Sequence, residues 1–233
     1  MLSIIIPTLN EEKYLPRLQH SIRTQNFGDF EVIISDGDSS DRTQQIAKDS
    51  GARLVISRRR SPADQRNYGA RIANGSILLF LDADSVLPKR FLSCVTIEFK
   101  NRNLDAASFY FKPDSREFIY KIYSWFYTSV CFVFQYIKPI SIGAGIIIKK
   151  SLHQKINGFD ASIFIGEDHD YSQRAGKFGK FRIISSKKVF FSVRRFEKHG
   201  KFKTLIKWFY CVVYTLFKGP IRKQVVKYEF GEN

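Results

Sequence analysis

Two aspartates one residue apart, Asp82 and Asp84, close the apolar run in ILLFLDADSVLPKRF, residues 77–91. Like charges this close resist ionising together unless a cation sits between them. Hard divalent cations such as Mg2+ or Mn2+ prefer carboxylate oxygens and commonly bridge to the phosphates of a substrate. A second acidic group, Glu167, Asp168 and Asp170 in GEDHD, follows the irregular stretch GFDASIFI. A carboxylate within hydrogen-bond reach of an acceptor hydroxyl serves as a general base. The plainer explanation is that acids favour the positive end of a helix dipole. Arg174, four residues after Asp170, is placed to pair with it along one helix face. His169 reads as a bystander in this acidic run, and His20, His153 and His199 fall in no constellation.

These residues need a scaffold. From residue 1 short β-branched runs alternate with helical stretches: LSIIIP, EEKYLPRLQHSIRTQ, EVIIS, DRTQQIAKDSG, ARLVIS, a Gln/Arg/Asn/Ala segment, then SILLFL. The strands are apolar throughout and not alternating, which predicts a mostly parallel sheet covered by helices on both faces. In open sheets of this kind ligands bind beyond the carboxyl ends of the strands. PTLNEE, SDGDSSDRT and DADS, after the first, second and fourth strands, therefore fall on one rim. Asp36 stands where the second strand meets that rim. Gly37 is read as permitting a tight turn, with Ser39, Ser40 and Asp41 as caps for a helix starting near Arg42. The rim has neither GxxxxGK[ST] nor GxGxxG. An arginine such as Arg66 is chemically apt for phosphate because its fork donates two bonds.

A length of 233 residues with 44% hydrophobic content supports one large α/β domain with a C-terminal appendage. Cys94, Cys131 and Cys211 are scattered and form no CxxC, so neither a disulfide framework nor a zinc site is indicated, and a reducing compartment fits. MLSIIIP is too short for a signal peptide, which places the expected location in the cytoplasm. The formal net charge of +16 asks for acidic partners.

Five blocks in order, IIIPTLNEEKYLPRLQHSI, IISDGDSSDRTQQIA, NYGARIANGSILLFLDADSVLP, GAGIIIKKSLHQKINGFD and GEDHDYSQRAGKFG, resemble the family 2 glycosyltransferases, nucleotide-sugar enzymes of the GT-A fold. The family's paired aspartates after the second strand are here Ser35 and Asp36. The resemblance implies that Pro7, Thr8 and Glu11 line a nucleoside pocket and that Asp36 hydrogen-bonds the base. It implies that Asp82 and Asp84 form a DxD binding diphosphate through Mg2+ or Mn2+, and that Arg66 and Asn67 approach the pyrophosphate or ribose. Glu167 and Asp168 match the family's acidic pair, with Asp168 as the base. Attack in line with the leaving diphosphate would invert the anomeric centre, as a single displacement does in glycosidases. The expected architecture is a GT-A-like α/β domain over residues 1–197, with a nucleotide-sugar half at 1–112 and an acceptor half at 113–197. The donor would be UDP- or GDP-linked, the acceptor lipid-linked or a glycan.

FIYKIYSWFYTSVCFVFQYI, residues 118–137, is aromatic and near spanning length, yet its Lys, Ser, Gln and tyrosines suit an interfacial segment better. Residues 198–233 form a basic, aromatic tail whose apolar run 205–217 suits an amphipathic helix lying on a membrane. A peripheral position on the inner face of the cell membrane is expected. Two other readings are weaker. A nucleotidyltransferase would open with a Gly-rich phosphate loop, and a nucleic-acid surface would meet repulsion from the rim carboxylates.

Overall fold

The computed structural model describes residues 1–57, 59–141 and 145–222. The elements run β1 (Leu2–Thr8), α1 (Leu15–Arg23), β2 (Phe30–Asp36), α2 (Thr43–Asp49), β3 (Arg53–Ile56), α3 (Pro62–Ile72), β4 (Ile77–Phe80) and α4 (Phe91–Asn101). Then come β5 (Ala106–Pro113), α5 (Phe118–Phe134), β6 (Ile146–Lys149), α6 (Lys150–Lys155), α7 (Glu167–Phe178), β7 (Phe181–Phe191), α8 (Arg194–His199) and α9 (Lys201–Lys218). They build one seven-stranded sheet in the order β3-β2-β1-β4-β6-β5-β7. β6 runs against both neighbours while the other pairings are parallel, so β7 and β5 point the same way as β1, β2 and β4. The carboxyl ends of β1, β2, β4 and β7 therefore share one rim. The sheet passes through residue 112, so the two expected halves share one core.

β1 and β4 are apolar because both of their faces are covered; Ile4, Ile5, Ile6, Leu78, Leu79 and Phe80 are fully buried. The β1–β4 register ends at Ile5 opposite Phe80, and the Leu81 N–H donates to Ile5 O. Pro7, which has no N–H, faces the side where β4 has already turned away, so the ladder loses nothing. That divergence opens the rim at Asp82. α3 begins on Pro62, whose fixed φ suits a first helical turn.

The tail is part of the folded body up to residue 222. Trp208 of α9 packs against Tyr123 of α5 and Phe196 of α8, with ring centroids 6.1 and 5.5 Å apart. Residues 142–144 of the GAGIIIKK block and 223–233 of the tail lie outside the described residues. Among those described, no helix is long and apolar enough to cross a membrane.

Candidate active site

The loops after β1 and β2 are laced together. Asn10 N–H donates to Ser39 Oγ, Ser40 N–H to Asn10 Oδ1, and Glu11 N–H to Thr43 Oγ1, at 2.9, 2.9 and 2.7 Å. Asp41 caps α2 from one position before its N-cap, accepting from Thr43 N–H at 2.9 Å and also from Glu12 N–H at 3.1 Å. The tight conformation falls on Asp38, at φ 64°, and not on Gly37. At Gly37 a Cβ would meet the amide end of the Gln65 side chain, which would have to shift.

Asp36 is fully buried. Its carboxylate accepts from Thr8 Oγ1 (2.8 Å), Ser39 Oγ (2.6 Å), Ser39 N–H (2.8 Å) and Gln44 Nε2 (3.1 Å). A carboxylate offers about four acceptor positions, and these are taken by Thr8, Ser39 and Gln44. In this arrangement Asp36 orders Thr8 and Ser39. Asn67 is likewise turned inward. Its amide clasps the Phe159 backbone, Nδ2 to the carbonyl and Oδ1 from the N–H, both at 2.8 Å. It fixes the loop ahead of the acidic helix.

Arg66 joins the two acidic groups. Its Nη2 lies 2.8 Å from Asp82 Oδ1 and its Nη1 2.8 Å from Glu167 Oε1. Arg66 is 4% exposed, against 37% for Asp82 and 16% for Glu167. The Phe159 ring lies 5.2 Å from the guanidinium and stacks on Tyr171 at 3.7 Å. A surface arginine on a solvated helix face is thereby excluded. Beside Glu167, burial pushes the Asp168 carboxyl up to about 6, with the neighbouring His169 charge pulling the other way. Asp168 sits in the first turn of α7, so the two sequence explanations of GEDHD coincide: the helix terminus presents the acids.

Three further residues have partners the sequence does not reveal. His169 Nε2 lies 2.8 Å from Tyr127 Oη, tying α7 to α5. His153, expected to be isolated, has Nδ1 2.7 Å from Tyr171 Oη. Arg194, three residues past β7, grips Glu11 through both terminal nitrogens and Asp84 through Nε. Arg174 pairs with Asp170 at 2.8 Å as its spacing predicts.

Asp82 and Asp84 offer hard oxygen donors, and among the described residues no cluster of three or more metal-binding side chains surrounds them. Two carboxylates fit Mg2+ or Mn2+ when substrate phosphates and waters complete the shell.

A mostly parallel seven-stranded sheet with one reversed inner strand, flanked by helices, is the GT-A type of fold. Residues 3–157 match the profile of Glycosyl transferase family 2, and the chain belongs to that family. TarS 1-349 of Staphylococcus aureus in complex with UDP-GlcNAc superposes with a TM-score of 0.68 at 22% identity, over 82% of this chain and 58% of that one. Mannosyltransferase PcManGT from Pyrobaculum calidifontis, in complex with GDP-Man and Mn2+, superposes with a TM-score of 0.69 at 21% identity, over 81% and 56%. At these identities the likeness is one of fold. A PGL/p-HBAD biosynthesis glycosyltransferase of Mycobacterium tuberculosis is 45% identical over 93 residues, 37% of this chain and 36% of that protein. An uncharacterized glycosyltransferase of Haemophilus influenzae is 30% identical over 187 residues, 73% and 60%. The chain thus spans about a third of the mycobacterial relative and less than two thirds of the other.

Proposed function

We propose that this chain moves a sugar from a UDP- or GDP-linked donor to a hydroxyl of a lipid-linked or glycan acceptor, with inversion at the anomeric carbon. The observation that carries this reading is Arg66. One buried guanidinium touches both the DxD and the acidic pair of α7, so the diphosphate end and the base end of a transfer site lie within a single side chain's reach. Residues 1–112 would supply the donor side and 113–197 the acceptor side. Neighbours of the same fold were crystallised with UDP-GlcNAc and with GDP-Man and Mn2+, which supports a nucleotide-sugar donor with a divalent ion here.

Asp168, ionised at neutral pH, takes the proton of the acceptor hydroxyl as its oxygen bonds to the anomeric carbon. The bond to the diphosphate breaks on the opposite face, hence inversion. Asp82 and Asp84 would hold Mg2+ or Mn2+, which when bound neutralises charge on the departing diphosphate. Thr8 and Glu11 would frame the nucleoside beside Pro7, with Asp36 fixing their loop. The test is a panel of UDP- and GDP-sugars with Mn2+ or Mg2+, read by calorimetry. One donor should bind with a metal and lose that binding in Asp84→Ala. Failure of every donor with both metals would sink the transferase reading.

A membrane setting for the acceptor is supported by α5 and α9, adjacent helices that leave Phe118, Trp125 and Phe126, and Phe202, Ile206 and Phe209, exposed. Lys121, Lys203 and Lys207 are interspersed with them. Aromatic and cationic side chains together suit the headgroup level of an anionic membrane. The protein should sediment with vesicles rich in anionic lipid at moderate salt, less with neutral vesicles, and be released as salt rises. Recovery in the supernatant under all these conditions would remove the membrane from the proposal.

A further inference from the structure

Arg194 spends its entire fork on acids. Nη1 and Nη2 meet Glu11 Oε2 and Oε1 at 2.8 and 2.6 Å, and Nε meets Asp84 Oδ2 at 3.0 Å. The guanidinium lies 4.4 Å from the centre of the Tyr14 ring. All three ionic groups are largely desolvated: Arg194 is 13% exposed, Glu11 9% and Asp84 15%. Burial pushes the Glu11 carboxyl up to about 7 and the Asp84 carboxyl above its ordinary value; the Arg194 and Arg195 charges pull both down, while Asp82 opposes ionisation of Asp84. Three rim loops, after β1, β4 and β7, thus converge on one side chain.

The consequence concerns the DxD. Asp82 is held by Arg66 and Asp84 by Arg194, so each carboxylate already has a monovalent counter-ion. A divalent cation at Asp84 Oδ2 and a guanidinium 3.0 Å from the same oxygen repel each other. One must leave. Arg194 can give up Asp84 without leaving the rim, because its terminal nitrogens remain bidentate on Glu11. Nε is then a free donor facing the region where the DxD would place a diphosphate, an acceptor suited to it.

Resting on the donor reading above, we propose that Arg194 is a built-in counter-ion for Asp84. It holds the place of the divalent cation while no donor is bound, and yields it when the cation arrives together with a diphosphate. Arg194 is a positioning residue, and its signature is a gain: removing it should improve binding of the metal alone. A purely structural staple would not give that result.

The experiment is Mn2+ titration followed by loss of the free-ion EPR signal, without nucleotide and with UDP or GDP. Wild type, Arg194→Gln, Arg194→Lys and the double variant Arg194→Gln/Asp84→Asn are compared, with circular dichroism melts to verify folding. Wild type should bind Mn2+ weakly alone and much more tightly with one nucleotide. Arg194→Gln should bind Mn2+ alone at least about tenfold tighter, a modest share of one close charge interaction near a protein surface. The gain should vanish in the double variant. Arg194→Lys, which keeps the charge and loses the fork, should fall between, and it carries the test if the Gln variant does not fold. Unchanged affinity for Mn2+ alone in a folded variant, with wild type still binding Mn2+ and a nucleotide together, would overturn this role for Arg194 alone. Absence of Mn2+ binding in wild type with either nucleotide would overturn the metal-assisted donor reading, and this inference with it.

Discussion

Asp168→Asn should retain donor binding and lose turnover by about 10²- to 10⁴-fold, the usual contribution of a positioned general base. The substitution is nearly isosteric, and its Oδ1 can still accept the His169 N–H that Asp168 accepts at 2.9 Å. What disappears is the ability to take a proton. In the wild type, burial pushes this carboxyl up to about 6, so kcat/KM should fall as pH drops through that value and level off above it. The variant should have no such limb. Stability moves in the other direction. A carboxyl whose folded pKa is raised contributes stability at pH below its unfolded value, lost as pH rises through about 6. At neutral pH the ionised Asp168 is therefore a cost to the fold, and Asp168→Asn should melt no lower than wild type. Donor hydrolysis against pH, paired with thermal melts at pH 5 and 7.5, checks both halves. An unchanged rate in the folded variant would remove Asp168 from the base role.

What could be read in the sequence was what depends on local order along the chain. Strands that are apolar on both faces announce a covered parallel sheet, and the strand-end rule then puts Asp82, Asp84 and Asp36 on one rim. The direction of a side chain at that rim is a different matter. Asp36 and Asn67 occupy the expected positions, yet they spend their polar atoms on Thr8, Ser39, Gln44 and the Phe159 backbone. Arg194 is not legible as a site residue because it stands 110 residues beyond Asp84, at the end of the acceptor half in a basic stretch, FFSVRRFEKHG, that runs into the tail. A usable signal was present: β7 ends on the apolar residues VFF and points the same way as β4, so a cation just past its end falls on the same rim as Asp84. Finding it required knowing that β6 is the reversed strand, which follows from pairing across the sheet and not from local pattern. The partner of His153 is hidden for a similar reason, since Tyr171 lies on a later helix.

Arg66→Met should be among the most destabilising single changes at this site. Methionine preserves much of the side-chain volume against Phe159 but withdraws the positive charge that Asp82 and Glu167 share. Breaking a buried pair by removing one partner typically costs about 3–5 kcal/mol, because the surviving charge is left without compensation. Here Glu167 is 16% exposed and suffers most, while Asp82 at 37% recovers some hydration, so the lower end, about 3 kcal/mol, is expected. The loss should be electrostatic and hence recoverable. Adding Glu167→Gln to Arg66→Met removes the stranded charge and should restore a large part of the stability, whereas Glu167→Gln alone should destabilise. Urea unfolding of the four proteins completes the double-mutant cycle. A loss below about 1 kcal/mol in Arg66→Met, the range of a solvated surface pair, would mean that water serves these acids as well as the arginine does. Donor binding adds an independent readout. With Arg66 gone, Asp82 and Glu167 repel each other across the site, so the folded variant should bind nucleotide sugar more weakly than Asp168→Asn, which leaves that arrangement intact.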